Sequence, residues 1–482
     1  MNLAILLGGI LLWFIAGCVA SYYARKWVGK GMAEYFIANR RIGGLVSAMT
    51  YSATTYSAFM MVGLVGLTYK TGVTSLGFEL TYLMATVFLL TLFAPRFWIA
   101  GKKYGYITPS ELLSDRYENK WVGAIAAILS LVMLIPYASV QLMGMGYLIE
   151  ALSGGALPFV VGSAIAAVIS FIYSWWAGMR SVAWTDTIQA FIMLIASLIL
   201  LGFVLTVFFP QGFISTVETE TPKLLTVTWP FSLFIGLALP WAFFALTNPQ
   251  VAQRLYIPKD VRSMKHMILG FSIFGFIYTI ITTLLGLAAA NIIPGLKVAD
   301  KAMPMLLTKV PDILAIAVLV GILAAAVSTL NSIILTLSSM FARDVIKALK
   351  PEIDEDKELL TGKLLIPIIT LICFVFAQFK FGLIAILSAM ASGGLLMMLP
   401  AILGAFFWKR GTAAGAISSM AIGGIVVGAM YILKLKPLGQ WPTIWGIILA
   451  AVIFIGVSLA TTPPKKASEF VEYVNKTVRD LF

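Results

Sequence analysis

Charge is scarce in this chain of 482 residues: 11% of the residues are charged, whereas 60% are hydrophobic. Such a composition argues against a soluble globular domain, whose surface needs about twice that share of charge. Histidine occurs once and cysteine only twice. The chain therefore has no His-Glu-x-x-His pattern of a metalloenzyme and no cysteine framework for disulfides, and nothing indicates an enzyme.

Long hydrophobic stretches are abundant instead. A helix needs roughly 20 apolar residues to cross a hydrocarbon core of about 30 Å, and stretches of that length recur from end to end. We predict an all-α polytopic membrane protein with thirteen transmembrane helices, centred near residues 12, 55, 86, 136, 166, 195, 239, 278, 328, 369, 394, 422 and 450.

The distribution of Lys and Arg supports this count. If the first span begins outside, 26 of these residues fall on the inner side and 8 on the outer side, which together make the 34 of the chain. The positive-inside rule then predicts a multi-pass protein of the cell membrane, with its N-terminus outside and its C-terminus cytoplasmic. The net charge of +13 is accordingly a topology signal and an attraction to anionic lipid rather than a nucleic-acid footprint. No obligatory protein partner is indicated.

Two spans carry signs of a broken helix. The second contains the hydroxyl-rich run from Met49 to Met61 (MTYSATTYSAFMM), and the seventh holds several prolines, each of which removes a helical donor. Broken backbone in a bilayer is tolerated where it lines a cavity, and inverted-repeat transporters place such helices at corresponding positions of their two halves. We therefore predict a single transmembrane domain at 1–461, containing an extra N-terminal helix at 1–23, a first repeat at 43–209, an inverted second repeat at 228–408 and two extra helices at 410–461, followed by a cytoplasmic tail at 462–482.

Small and hydroxylated residues in the ninth span predict a cation site. Ala325, Ser328 and Thr329 stand at i, i+3 and i+4 and share one helix face. Neutral carbonyl and hydroxyl oxygens suit a monovalent cation. Carbonyls from the broken turn near Ala53 and Tyr56 would bring the set to about five oxygen ligands. The alternative is that the hydroxyls bond back to their own helix.

Ionisable groups inside spans are costly and functional by default. Asp186 and Ser332 lie at similar depth and form a candidate second cation site or an exit relay; alternatively, Asp186 is an interfacial residue paired with a nearby arginine. Glu79 is either a cavity residue that touches solute or a carboxylate favoured at a helix start. Aromatic residues such as Tyr137 and Trp241 are packing residues unless their helices line the cavity.

Four runs, in order along the chain, resemble motifs of the sodium/solute symporter family, and in particular its proline, pantothenate and monocarboxylate branches. They are Glu34 to Gly44 (EYFIANRRIGG), Ala183 to Gln189 (AWTDTIQ), Asn248 to Arg254 (NPQVAQR) and Ala324 to Thr329 (AAAVST). The resemblance implies the five-plus-five inverted-repeat fold of the leucine transporter, preceded by one extra helix and followed by two.

The resemblance also implies site residues. The sodium site falls on the carbonyls of Ala53, Tyr56 and Ala325 and the hydroxyls of Ser328 and Thr329. A second sodium site would involve Asp186 and Ser332, with Asn331 standing where some members have serine. Positions that contact solute or gate it fall on Thr55, Ser57, Glu79, Tyr137, Trp241 and Phe244.

The function expected from this reading is sodium-coupled import of a small organic solute by alternating access, with Na+ as the coupling ion. The solute is expected to be an amino acid such as proline, or a carboxylate such as pantothenate or a monocarboxylate. The alternatives are a proton-coupled carrier of the same fold, with Asp186 as the proton site, and a family member that carries a sugar or another solute.

Overall fold

The computed structural model describes residues 2–26 and 29–481. Met1 and Phe482, which the predicted ranges 1–461, 1–23 and 462–482 include, lie outside the described residues, as do Trp27 and Val28. The described residues form helices and no strand.

The helices of the first half are α1 (Leu3–Arg25), α2 (Met32–Ile37), α3 (Gly44–Thr55), α4 (Val65–Thr71), α5 (Val73–Tyr104), α6 (Pro109–Arg116), α7 (Lys120–Leu152), α8 (Phe159–Phe208) and α9 (Phe213–Glu220). Those of the second half are α10 (Phe231–Ala242), α11 (Phe244–Thr247), α12 (Pro249–Ala252), α13 (Val261–Ile292), α14 (Ala302–Leu307), α15 (Asp312–Met340), α16 (Lys347–Leu349), α17 (Glu355–Gln378), α18 (Ile384–Leu395), α19 (Leu399–Phe407), α20 (Ala413–Ile432), α21 (Pro442–Ala460) and α22 (Ala467–Leu481). Short 3-10 turns occupy Ala38–Arg40, Pro222–Leu225, Gln253–Tyr256, Ala299–Lys301, Leu396–Met398 and Pro437–Gly439, and π-helical turns occupy Phe59–Leu64 and Phe341–Ile346.

Ten helical segments within the described chain are long and apolar enough to cross a membrane, and two shorter apolar helices, Phe159–Trp175 and Phe231–Ala242, accompany them. The prediction of an all-α polytopic membrane protein is confirmed. The count of thirteen stays a prediction, because the segment 44–71 is divided into pieces that are each too short to span. Within α8, Gly178 has φ +61° and separates two apolar helices that we predicted as separate spans.

The two helices predicted to be broken are both interrupted. α3 ends at Thr55, and Tyr56 adopts an extended conformation with φ −93° and ψ 92°. α10 ends at Ala242, and Asn248 is extended between the short helices α11 and α12. These interruptions free backbone groups inside the protein, where side chains must satisfy them.

Packing brings the break in α3 against α15. α15 lies against α8, α7 and α3, and α13 packs along α3 on another side. A backbone bridge fixes the start of α3: the amide of Ile42 donates to Ile257 O, and the amide of Lys259 donates to Ile42 O. The result is a buried region in which α3, α5, α7, α10 and α15 all contribute side chains.

The predicted tail folds as the amphipathic helix α22, which packs against α5 and α19. Phe470 stacks on Tyr104 with ring centroids 5.5 Å apart. Lys466 pairs with Asp115 at 2.6 Å. The tail therefore braces the ends of neighbouring helices.

Candidate functional site

The hydroxyl of Thr329 links α15 to the break in α3. It lies 3.1 Å from the carbonyl oxygens of Ala53 and of Thr54 and donates to them. All three residues are buried. Two of the predicted sodium ligands, Ala53 and Thr329, are therefore in direct contact across the two helices.

Side chains satisfy the amides of the break and leave its carbonyls available. The amide of Ala58 donates to Oε1 of Gln141 on α7 at 3.1 Å instead of bonding back to Thr54. The amide of Phe59 donates to Oγ of Ser57 at 3.1 Å. Because these two amides donate elsewhere, the carbonyls of Thr54 and Thr55 lose their usual helical donors. The carbonyl oxygens of Ala53 and Thr54 face Thr329 on α15.

The remaining predicted ligands lie in the same buried region. Ala325 stands one turn before Thr329 on α15, and Tyr56 occupies the break itself. The hydroxyl of Ser328 lies beside the Asp186 carboxylate without a hydrogen bond of regular geometry. The oxygen set thus combines neutral donors with one carboxylate nearby, which suits a monovalent cation.

Back-bonding, the alternative reading of these hydroxyls, holds for only one of them. Ser332 donates to the carbonyl of Ser328, one turn earlier on the same helix, at 2.8 Å. Its oxygen also lies 3.1 Å from the hydroxyl of Thr54. Thr329, by contrast, bonds across to α3.

Asp186 pairs with a distant arginine in the buried interior. Nη2 of Arg254 lies 3.7 Å from Oδ2 of Asp186, and both side chains are fully buried. The hydroxyl of Thr50 donates to Asp186 at 2.6 Å, and the guanidinium also donates to Ser332. The two predicted members of the second cation site, Asp186 and Ser332, therefore both contact one guanidinium.

This pairing corrects two sequence-based expectations. Asp186 is 1% exposed, so it is a buried residue rather than a surface one. Arg180, the arginine near it in sequence, pairs with Glu34 at 2.6 Å instead. Arg254 is buried in the 3-10 turn that follows α12.

Four of the aromatic side chains form a cluster beside the break, here called the aromatic cluster: Tyr82, Tyr137, Trp241 and Phe244. Trp241 and Phe244 stack with centroids 4.9 Å apart. Tyr82 meets both of them edge-on, at 5.4 and 5.8 Å, and Tyr137 does so at 6.1 Å. The cluster unites α5, α7 and the broken seventh span, so Tyr137, Trp241 and Phe244 are brought together as predicted.

Glu79 lies next to this cluster. It is 1% exposed, and its Oε1 has no hydrogen-bond partner among the described residues. It lies close to the hydroxyl groups of Tyr56, Tyr82 and Tyr137. Glu79 is the seventh residue of α5, beyond the first turn, so stabilisation at a helix start does not account for it.

Several polar atoms of the break and of the aromatic cluster also lack protein partners. They are Oγ1 of Thr55, the hydroxyls of Tyr56 and Tyr82, and Nε1 of Trp241. Buried polar groups are nearly always paired, so a concentration of unpaired ones indicates a place for a polar ligand. Ser57 differs from them, since its oxygen accepts the amide of Phe59 and thereby supports the break.

Four residues of this region were missed by the sequence reading: Thr50, Tyr82, Gln141 and Arg254. Tyr82 follows Glu79 by three positions on α5, a spacing that puts both on one face. Arg254 ends the run from Asn248, but its neighbours Lys259 and Arg262 suggested a loop. Thr50 and Gln141 carried no signal beyond being polar residues inside spans.

Comparison with protein families gives a match to the model described as "Sodium:solute symporter family" over residues 35–423. The sodium/pantothenate symporter of Escherichia coli strain K12 is 28% identical over 96% of this chain and 98% of its own length. That of Haemophilus influenzae is 30% identical over 88% of this chain and 89% of its own. A sodium/proline symporter of Staphylococcus aureus strain JH9 is 26% identical over 98% and 95%.

Solved structures resemble the whole chain. The substrate-bound, outward-open structure of a Na+-coupled sialic acid symporter has a TM-score of 0.80 at 19% identity, covering 96% of this chain and 99% of that one. A closed structure of a nucleobase-cation-symport-1 family transporter has a TM-score of 0.58 at 12% identity, covering 91% and 98%. The helices are thus arranged as in these transporters, which share the leucine-transporter-like fold.

Proposed function

This chain belongs to the sodium:solute symporter family, and we propose that it imports an amino acid such as proline, or a carboxylate such as pantothenate or a monocarboxylate, by alternating access. The chain is a multi-pass membrane transporter and not an enzyme, and sodium is its coupling ion. Two of the relatives described above are named as symporters of pantothenate and of proline.

The contact of Thr329 with Ala53 carries the proposal. In our account, sodium binds to the carbonyls of Ala53, Tyr56 and Ala325 and to the hydroxyls of Ser328 and Thr329. The hydroxyl proton of Thr329, which now points to α3 carbonyls at 3.1 Å, turns away and the oxygens face the ion. Such a site joins the broken span to α15, so the ion favours one arrangement of these two helices.

We further propose that one sodium ion is coupled. A second cation at Asp186 and Ser332 would meet the guanidinium of Arg254, which already contacts both. Two positive charges in a buried site repel each other strongly. The guanidinium of Arg254 thus takes the place that a second cation would have beside Asp186 and Ser332.

The solute pocket lies on the other side of the break, between Thr55, Glu79 and the aromatic cluster. Bound sodium fixes the backbone turn at Tyr56, and this turn positions Thr55 for contact with the solute. Ring stacking of Trp241 on Phe244 closes the pocket. Low cytoplasmic sodium then permits release, so the sodium gradient drives accumulation.

The membrane arrangement follows the same proposal. The repeats span 43–209 and 228–408, the N-terminus faces outward, and α22 lies on the cytoplasmic side. Lys and Arg residues concentrate on that side, as the positive-inside rule requires.

Uptake by proteoliposomes tests the proposal. The full chain is reconstituted and offered labelled proline, pantothenate, lactate, pyruvate and galactose at fixed pH, with sodium or with choline outside. Sodium-dependent accumulation of one of the first four supports the proposal. Accumulation that follows a proton gradient and ignores sodium would instead favour a proton-coupled carrier.

A further inference from the structure

We infer that the solute carries a positively charged nitrogen, which pairs with Glu79 beside the aromatic cluster. The inference rests on the proposed function, because it assigns the space around Glu79 to the transported solute. It narrows the solute to compounds with an ammonium group: zwitterionic amino acids and quaternary ammonium compounds.

The first argument is the isolation of the Glu79 carboxylate. The side chain is 1% exposed, and Oε1 accepts no hydrogen bond from any described residue. A lone carboxylate in a membrane interior is costly, and either protonation of the group or a counter-charge offsets that cost. The hydroxyls of Tyr56 and Tyr82 are also unpaired, so they add neutral donors but no positive charge.

The second argument is that the protein has no cation to spare for this carboxylate. Two arginines and no lysine are buried within the described chain. Arg254 contacts Asp186, and Arg116 donates to the carbonyls of Ala405 and Trp408. The counter-charge for an ionised Glu79 carboxylate would therefore have to come from the solute. A purely anionic solute would place a second negative charge against Glu79.

The third argument is the chemistry of the surrounding rings. Trp241 and Phe244 stack at 4.9 Å, and Tyr82 and Tyr137 stand edge-on to both. Aromatic faces attract ammonium groups, most strongly where water is excluded. All four members of the aromatic cluster are at most 2% exposed. A carboxylate with such rings is thus suited to an ammonium group, whereas pantothenate, lactate and pyruvate have none.

Matched pairs of probes test the charge directly in the wild-type protein. Glycine betaine and 3,3-dimethylbutyrate differ by a quaternary nitrogen against a quaternary carbon, and proline and cyclopentanecarboxylate differ by a ring nitrogen against a ring carbon. Proteoliposomes containing the full chain are offered labelled betaine, choline, proline, pantothenate, lactate and pyruvate. The unlabelled carbon analogues then compete against each probe that accumulates.

We expect an ammonium-bearing probe to accumulate and its carbon analogue to compete at least tenfold more weakly. Accumulation confined to pantothenate, lactate or pyruvate, or equal competition by the carbon analogue, would overturn the inference and leave sodium-coupled transport intact. Accumulation of an ammonium-bearing probe that needs no sodium would support the inference while refuting the coupling.

A variant links the selectivity to Glu79. Glu79→Gln keeps the shape and removes the charge, and should raise the half-saturating concentration of the ammonium-bearing probe at least tenfold. Glu79→Asp keeps the charge and should retain more of the preference over the carbon analogue than Gln does. Glu218→Gln, at an exposed position of α9, is the matched control and should behave as wild type. An unchanged preference in Glu79→Gln would contradict the role given to this carboxylate.

Discussion

The hydroxyl of Thr329 lies 3.1 Å from the carbonyl oxygen of Ala53, although the two residues are 276 positions apart. The contact is made at the end of α3, where Tyr56 leaves the helical conformation. Any ion that binds here must hold α3 and α15 together. In the proposed function, the helix break and this hydroxyl therefore act together in sodium binding.

Arg254 is predicted to stabilise the fold by compensating Asp186. Arg254→Gln leaves the carboxylate buried without its partner, which costs about 3–5 kcal/mol. The variant should melt at a lower temperature in potassium buffer, and sodium should restore part of the loss by entering the vacated space. Arg262→Gln, at an exposed position, is the control. Fluorescence melting curves in the two salts give the measurement; equal losses in both would argue against a cation site at Asp186 and Ser332.

Gln141 is predicted to hold the break in its conformation. Its side-chain oxygen accepts the amide of Ala58 at 3.1 Å. Gln141→Leu leaves that buried amide unpaired, at a cost of about 1–3 kcal/mol, and should also weaken sodium activation of uptake. Gln189→Leu is the matched control, since the oxygen of Gln189 is buried without a partner. The prediction fails if both leucine variants melt and respond to sodium alike.

Asp300 is predicted to make stability depend on pH. Its carboxylate lies in the 3-10 turn Ala299–Lys301, before α14, and accepts the amide of Ile384 at 2.9 Å. Burial raises the pKa of Asp300 from 3.8 to about 7. The folded protein therefore holds this proton more tightly than the unfolded chain. The resulting stability is complete below about pH 3.8 and is lost as the pH rises to about 7.

Asp300→Asn removes that dependence and keeps an acceptor for Ile384. The difference in melting temperature between the variant and wild type should grow in favour of the variant from pH 5 to pH 7, then stay constant. Asp312→Asn, at an exposed position, controls for the loss of a surface charge. Parallel curves for Asp300→Asn and wild type would show that Asp300 does not titrate in this range.

The sequence predicted the contact between Ala53 and Thr329 but not the surroundings of Asp186. The i, i+3, i+4 spacing of Ala325, Ser328 and Thr329 defines a helix face whatever the tertiary fold, and a hydroxyl-rich run in a span marks a break. Arg254 gave no such local signal. Its burial follows from the way α11 and α12 fold back toward Asp186, which depends on contacts between residues far apart in sequence.

Dependence on contacts between residues far apart in sequence also explains why the sequence did not predict the contacts around Glu79. Residue type alone singled out Glu79, Tyr137 and Trp241 one at a time. The family resemblance grouped them, and the packing of three helices shows the ring contacts between Tyr137 and Trp241. Tyr82 was missed because an aromatic residue in a span is usually a packing residue. The count of thirteen spans stays a prediction because each piece of a broken helix is shorter than a continuous membrane-spanning helix.

Sodium activation of uptake in two variants of Thr329 tests whether the coupling ion binds between α3 and α15. Initial rates are measured in proteoliposomes at fixed pH over a range of sodium concentrations, for wild type, Thr329→Ala and Thr329→Ser. The account predicts that Ala raises the half-activating sodium concentration at least tenfold, or about 1.4 kcal/mol, while Ser, which keeps the hydroxyl, stays close to wild type. Half-activating concentrations that are the same in all three proteins would contradict a sodium site between α3 and α15.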